Sequence, residues 1–273
     1  MPLMSRGFCF DNHERDNILL GSSTKAPRVV KTGTTLCAIV FKDGVVIGAD
    51  TRSTAGEMVS EKNCLKVHRI ADNIYCLGAG TAADCDFQTR LMESQMELVA
   101  LETGRQVRVA MVVRRLRQHL YRYMGHIGAY LIVGGVDVTG AQVSIVHAHG
   151  SAANLPYITS GSGGYAALAV CEDGFRPNMS EKEAMELVKQ SVETAILNDM
   201  YSGTNVDLCI ITKDKTRFIR PYAVIGKPEK RFNEYTFDTG VTPILSKSIR
   251  HVPYDIVSEQ VQEREEEMDV SSY

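Results

Sequence analysis

Two short β-rich runs, Thr34–Phe41 and Gly44–Asp50, are split by Lys42-Asp43, and Asp43-Gly44 is the strongest short hairpin signal available. A second pair, Lys66–Ile70 and Ile74–Leu77, is joined by Asp72-Asn73 and reads the same way. Two helices should follow. The first starts near Thr81, with the threonine hydroxyl capping it, Asp84 in its first turn, and Phe87, Leu91 and Leu98 on one face. The second spans about Val107 to Met124, with Val109, Val113, Leu116, Leu120 and Tyr123 as its apolar stripe. Strands return at Ala129–Val136, Gln142–His149 and Tyr157–Ser160. A capping box, Ser180-x-x-Glu183, then opens a helix that buries Ala184, Leu187, Val188, Val192 and Ile196. Strands Val206–Thr212 and Arg217–Pro221 close the region. The order ββββ-αα-βββ-α-ββ is neither a βαβ alternation nor all-β, and predicts an α+β fold of two antiparallel sheets with helices outside.

Around this region lie two segments of different character. Met1 to Gly33 is polar and aperiodic and reads as a leader, and Ala223 to Tyr273 is sparse and ends in an acidic run, Glu263 to Asp269, expected to be solvated. A hydrophobic fraction of 44% against 23% charged residues argues against global disorder. The net charge of -3 gives no reason to expect nucleic acid as a partner. Seven scattered cysteines, odd in number and never in a C-x-x-C pair, predict free thiols in a reducing compartment, with neither a zinc cluster nor a disulfide framework. The first thirty residues hold no signal-like apolar core, and the run Ile127 to Val136 is far shorter than the ~18 residues a membrane span requires. Cytoplasm and nucleus are the expected locations. No cofactor or metal is expected. His147-x-His149, read on a strand, could pair on a metal, but no third ligand is spaced nearby. The six arginines from Arg105 to Arg122 read as a solvated or intersubunit helix face, because the apolar stripe of that helix is needed by the core.

The sharpest local feature is Lys31-Thr32-Gly33-Thr34-Thr35, where an irregular leader meets the first strand. If the leader is removed after Gly33, Thr34 gains a free α-amine with an ordinary pKa of about 7.7–8, a base for its own hydroxyl. Taken alone, Gly-Thr-Thr is an ordinary strand start. Behind it stand Gly48-Ala49-Asp50-Thr51-Arg52, Lys66, Gly78-Ala79-Gly80, Gly161-Ser162-Gly163 and Asp199 to Gly203.

With these residues at these spacings, the chain resembles the catalytic beta subunits of the eukaryotic 20S proteasome, which are N-terminal-nucleophile hydrolases, over Thr34 to about Ile256. The resemblance implies a four-layer αββα sandwich over 34–222, a propeptide over 1–33 cleaved between Gly33 and Thr34, and a C-terminal arm over 223–273 that embraces a neighbouring beta subunit. Tyr235, Phe237, Val241 and Ile244 would be its apolar contacts. It implies Thr34 as nucleophile, Lys66 beside its hydroxyl, Asp50 orienting Lys66, the Gly80 N–H as oxyanion donor, and Ser162, Asp199 and Ser202 around the α-amine. Each residue also has an ordinary reading: Asp50–Lys66 as an ion pair, Gly78–Gly80 as a turn, Ser162 as a turn hydroxyl.

The same resemblance points to the trypsin-like class. Gly78 falls on the pocket floor, where other classes resemble arginine or methionine, and leaves a deep slot. Asp86 would supply a carboxylate at its end. Ser53, Thr54, Cys64 and His68 match further pocket positions, although Cys64 and His68 read equally well as edge packing, and Ser53 stands where this class usually carries alanine. Asp84 reads better as a helix-start carboxylate. Cys37 departs from the family and reads as core filler. Implied partners are the other alpha and beta subunits of a four-ring heptameric core, unfolded polypeptide substrates and regulatory caps. Thr34, Asp50, Lys66 and Gly80 together favour an active peptidase over a non-catalytic ring subunit of the same particle. A small-molecule amidase of the same fold would leave the arm and the acidic slot without a reason.

Overall fold

The computed structural model of the protein describes residues 17, 18, 21, 33–225, 246–253, 258 and 259. The expected leader, apart from residues 17, 18, 21 and 33, lies outside the described residues, as do Tyr235, Phe237, Val241, Ile244 and the acidic run. The chain divides into Met1–Pro228 and Glu229–Tyr273. In the second unit the described residues form neither helix nor strand.

The first unit carries two five-stranded antiparallel sheets. One has the order β10-β1-β2-β11-β12 and contains β1 (Thr35–Phe41), β2 (Gly44–Asp50), β10 (Tyr157–Gly161), β11 (Asn205–Thr212) and β12 (Thr216–Val224). The other runs β5-β6-β7-β8-β9, from β5 (Val67–Ala71), β6 (Ile74–Gly80), β7 (Ala129–Asp137), β8 (Gly140–Val146) and β9 (Ala152–Asn154). A small hairpin, β3 (Ser53–Ala55) with β4 (Met58–Glu61), stands apart. Helices α1 (Ala82–Thr103) and α2 (Val109–Arg122) cover the second sheet, while α3 (Gly164–Gly174) and α4 (Glu181–Asn198) cover the first.

The four layers follow from strands that are apolar on both faces. Along β1, Leu36 and Ala38 point between the sheets, whereas Cys37, Ile39 and Phe41 pack under α3 and α4. β2 repeats the alternation, with Val45, Ile47 and Ala49 inward and Val46 outward. On the other sheet Leu77 and Ile132 meet them, while Ile74, Cys76, Leu131 and Val133 face α1 and α2. A strand buried on both sides has no polar face, so these runs read as continuous hydrophobic sequence.

The predicted β1–β2 hairpin forms, with Phe41 opposite Gly44 and Lys42-Asp43 as its loop. Gly44 is not a turn residue. A Cβ there would lie 2.1 Å from the Ile211 carbonyl oxygen, so its glycine is required by the approach of β11. The Ser180 capping box is present as read: Ser180 Oγ accepts from the Glu183 N–H, and the Glu183 carboxylate accepts from the Ser180 N–H at 2.8 Å.

Four expectations are corrected. Residues 33–225 form four helices, not three; α3 is short, is preceded by Gly163 without a side-chain cap and buries only Gly164, Ala167 and Cys171, so it has no large apolar stripe to read. The buried face of α1 is Cys85, Gln88, Thr89, Met92 and Met96, and Phe87 and Leu98 point outward. The Thr81 hydroxyl does not cap that helix; Asp84 instead accepts a hydrogen bond from the Gly128 N–H at 2.8 Å and ties the helix start to the entry of β7. β8 ends at Val146, so His147 and His149 lie in the following turn and not on one strand face. Among the described residues no cluster of three or more His, Cys, Asp or Glu could hold a metal, and no helix is long and apolar enough to cross a membrane.

Candidate active site

Thr34 immediately precedes β1, at the end of the sheet where β1, β2 and β10 present their edges. The strand pairing that positions it needs glycine at 161. That residue has φ +95°, and a Cβ there would lie 1.9 Å from the Thr34 carbonyl oxygen. The Thr34 N–H donates to Ser162 Oγ at 3.1 Å. Its hydroxyl donates to the Gly33 carbonyl at 2.7 Å and accepts from Lys66 Nζ at 3.2 Å.

Asp50 ends β2 and is fully buried. Its Oδ1 accepts from Lys66 Nζ at 2.7 Å and from the Thr35 N–H at 2.8 Å. Its Oδ2 accepts from the N–H groups of Arg52 and Gly203, both at 3.2 Å. Three backbone donors and one ammonium replace the water this carboxylate loses, and fix it. Lys66, itself 7% exposed, is therefore held as a cation with one proton aimed at the Thr34 hydroxyl.

Across the site Asp199 gathers the hydroxyls. Its Oδ2 accepts from Ser162 Oγ at 2.5 Å and from Ser202 Oγ at 2.6 Å, and its Oδ1 from the Tyr201 N–H at 3.1 Å. Burial pushes the Asp199 carboxyl up, but those hydrogen bonds and the nearby Lys66 charge outweigh it and hold the group below the usual aspartate range. Ser162 spends its single proton on Asp199, so its oxygen is an acceptor toward Thr34.

A cavity of about 200 Å³ opens beside Thr34. Gly33, Gly78 and Gly80 line one part of it, and Ser53, Thr54 and Cys64 another. His68, Cys85 and Asp86 complete it. A Cβ on Gly78 would lie 2.8 Å from that of Cys85, so the floor is closed by the helix behind the strand. Gly80 has φ +116°, and a Cβ there would sit 2.2 Å from the Gly128 carbonyl oxygen. The Gly78–Gly80 segment is the end of β6, not a turn. Thr54 Oγ1 accepts from the Gly33 N–H at 3.3 Å, so the residue before Thr34 is seated in this cavity. Burial pushes the Cys64 thiol up despite the Lys66 charge, which leaves it protonated and a poor rival nucleophile. Burial likewise pulls the His68 imidazole down, against the opposing charge of Asp86.

Every residue predicted for the site is thus brought to one place: Thr34, Asp50, Lys66, Ser162, Asp199 and Ser202 are joined by hydrogen bonds, and Gly78, Gly80, Asp86, Ser53, Thr54, Cys64 and His68 surround the cavity. Thr35 was missed. Its N–H holds Asp50 and its hydroxyl meets Ser202 Oγ at 2.7 Å, linking the two carboxylate clusters. Its only sequence signal is adjacency to Thr34. Arg90 was missed as well; its Nε donates to Asp86 Oδ1 at 3.0 Å.

The comparisons with known proteins agree on one family. The model of the family described as "Proteasome subunit" matches residues 30–211. The chain belongs to the proteasome subunit family. Its relatives there are beta-type subunits. It is 48% identical over 259 residues to proteasome subunit beta type-10 of Bos taurus, covering 94% of this chain and 95% of that protein. Proteasome subunit beta type-2 of Saccharomyces cerevisiae is 44% identical over 256 residues, with 93% and 98% covered. Proteasome subunit beta type-7 of Dictyostelium discoideum is 43% identical over 255 residues, with 93% and 96% covered. The proteasome beta-subunit family includes threonine endopeptidases, and the α+β sandwich of this chain is its fold.

Asp207 is a further buried carboxyl near this proteasome-type site. It lies on β11 and is paired with Arg220 at 3.0 Å. Burial raises its pKa to about 6, with Arg220 opposing and the Asp50 charge adding to the rise. A carboxyl with a raised folded-state pKa binds its proton more tightly in the native chain, so its contribution to stability is lost as pH rises from about 4 to 6. Asp207→Asn removes that titration. The melting temperature of the variant relative to the wild type should therefore be more favourable at pH 7 than at pH 4.5; a relative change that is the same at both pH values would refute the assignment.

Proposed function

We propose that this chain is a threonine endopeptidase subunit of the proteasome core, activated by removal of residues 1–33 and cutting after basic residues. The observation that carries the reading is the Lys66 Nζ–Thr34 Oγ1 contact at 3.2 Å, with the same Nζ held by buried Asp50. In the mature chain the α-amine of Thr34 takes the proton from its own Oγ1, which attacks the scissile carbonyl carbon. The Lys66 ammonium lowers the cost of the alkoxide, and the backbone N–H of Gly80 receives the oxyanion. Collapse of the tetrahedral species breaks the C–N bond; the leaving amine takes the proton held by the α-ammonium, and an ester on Thr34 remains. Water, deprotonated by the same amine, hydrolyses that ester. Ser162, Asp199 and Ser202 orient the amine throughout.

The precursor geometry supports autolytic leader removal. Gly33 lines the cavity and its carbonyl accepts from the Thr34 hydroxyl at 2.7 Å, so the nucleophile already touches the peptide to be cut, although a Cβ on Gly33 would point at Tyr201 and not into the slot. Specificity for basic side chains rests on Gly78, which leaves the slot open, and on Asp86 within its lining. A charge-assisted contact in such a slot is worth about 1.5–3 kcal/mol, or roughly tenfold to a hundredfold in kcat/KM. We assign the remainder of the chain, 223–273, to the arm contacting a neighbouring beta subunit. The partners are other alpha and beta subunits of a four-ring heptameric core, with unfolded polypeptides as substrates and regulatory caps on the whole particle, in cytoplasm and nucleus.

The test is intact mass of the subunit from the assembled particle together with peptide hydrolysis. The mature chain should begin at Thr34, an electrophilic peptide should label that residue, and cleavage after Arg should exceed cleavage after Leu in otherwise identical peptides. A retained leader would leave the non-catalytic ring subunit as the better account.

A further inference from the structure

Asp86, in the wall of the Thr34 cavity, is paired with a cation, Arg90, that the specificity reading above does not use. Leu65, His68 and Asp86 line both that cavity and a second one of about 510 Å³ on the other side. Arg90 lines only the second. It sits one helical turn after Asp86 on α1, and its Nε reaches Asp86 Oδ1 at 3.0 Å, with the Asp86 and Arg90 side chains 47% and 77% exposed. The other cations along the two cavities are engaged elsewhere: Arg69 bridges Asp72 and Glu93, each at 2.8 Å, Lys66 is held by Asp50 at 2.7 Å, and Arg52 donates to the Met200 carbonyl at 2.8 Å. The carboxylate at the slot is therefore partly neutralised from behind, by a side chain that takes no space in the slot itself.

We propose that Arg90 is a specificity-determining residue: it competes with the substrate's basic side chain for Asp86 and sets how strongly the slot prefers a cation. The inference rests on the basic-slot reading given above. An exposed i,i+4 pair is weak, so an incoming guanidinium or ammonium can displace or share it. The Arg90 contact uses one carboxylate oxygen, and a substrate cation approaching from the cavity side would meet the same group with a like charge behind it. Because Arg90 does not line the Thr34 cavity, its influence is electrostatic and should depend on salt, not on side-chain volume.

The experiment uses the assembled particle carrying Arg90→Gln, Arg90→Lys, Asp86→Asn or the Arg90→Gln/Asp86→Asn pair. Separate kcat and KM values are taken for fluorogenic peptides differing only in Arg or Leu before the scissile bond. Arg90→Gln should raise the Arg-to-Leu ratio of kcat/KM by about two- to threefold at low salt. The rise should come mainly through KM and vanish near 1 M salt, where charges are screened within ~3 Å. Arg90→Lys should stay near the wild-type ratio, and Arg90→Gln should have no effect once Asp86 is Asn. A ratio unmoved by Arg90→Gln, a rise that persists at high salt or without Asp86, or an Arg90→Lys ratio equal to that of Arg90→Gln overturns the proposal. If Asp86→Asn lowers the ratio while Arg90→Gln does nothing, the basic-slot reading stands and only the role of Arg90 falls. If Asp86→Asn leaves the ratio unchanged, both fall.

Discussion

Thr34→Ala is expected to abolish peptide cleavage by this subunit, with kcat/KM falling by about 10⁴-fold or more, and to leave the leader attached. The substitution deletes the oxygen that accepts from Lys66 Nζ and donates to the Gly33 carbonyl, and neither thiol lining the cavity replaces it, since burial pushes both Cys64 and Cys85 up, Cys85 to about 12. Folding should be nearly untouched. Thr34 is only half-buried, its backbone N–H still reaches Ser162, and surface changes of this kind usually fall within about 0.5 kcal/mol. Intact mass and hydrolysis of a peptide ending in Arg check both halves of this result. Cleavage that survives the substitution, in a particle with no other subunit cutting after Arg, refutes the nucleophile assignment.

The second large effect belongs to Lys66. Lys66→Ala removes the one cation that, among the described residues, pairs with a fully buried carboxylate, leaving Asp50 with the three backbone donors described above. Breaking a buried pair in this way costs about 3–5 kcal/mol, against a typical total stability of about 5–15 kcal/mol. Activity should disappear for an independent reason, the loss of the ammonium that stabilises the Thr34 alkoxide. A double substitution, Asp50→Asn with Lys66→Ala, separates the two effects. With no charge left to strand, its stability loss should be smaller than the sum of the single variants, while activity stays absent. Denaturation midpoints of the four proteins provide the cycle. Additive losses would mean that the 2.7 Å ion pair does not couple these residues in solution.

Both predictions turn on residues visible in the sequence, and the reason lies in the range over which they act. The Ser180–Glu183 box was legible because capping involves groups three residues apart on a chain that has already turned. The β1–β2 hairpin was legible because a continuous apolar run interrupted by two polar residues has few other ways to bury itself. Where local rules conflicted with packing they failed. α1 carries Phe87 and Leu98 on its outer face and polar Gln88 and Thr89 on its inner one, so its apolar spacing misreported which side meets the sheet. α3 buries only the small residues Gly164, Ala167 and Cys171, so its apolar residues form no one-sided stripe that helical spacing could reveal.

The site divides in the same way. The residue types at Thr34, Asp50, Lys66, Gly80 and Asp199, with their resemblance to a known family, were available from the sequence alone. Their pairing was not. Lys66 meets Thr34 across 32 residues, Ser162 meets it across 128, and Gly203 reaches Asp50 across 153. The last two follow from β10 pairing with β1 and β11 pairing with β2 in one sheet, and only the first needs the second sheet, which carries Lys66 at the entry of β5, to stack on it. Thr35 as the link between two carboxylates and Gly44 as a concession to β11 were likewise decided by tertiary pairing, whereas Asp86–Arg90 is a local i,i+4 pair whose meaning comes only from Asp86 lining the slot. Local chemistry set which elements form and which groups could react; burial between and around the sheets, where a charge must find a partner, chose the partners.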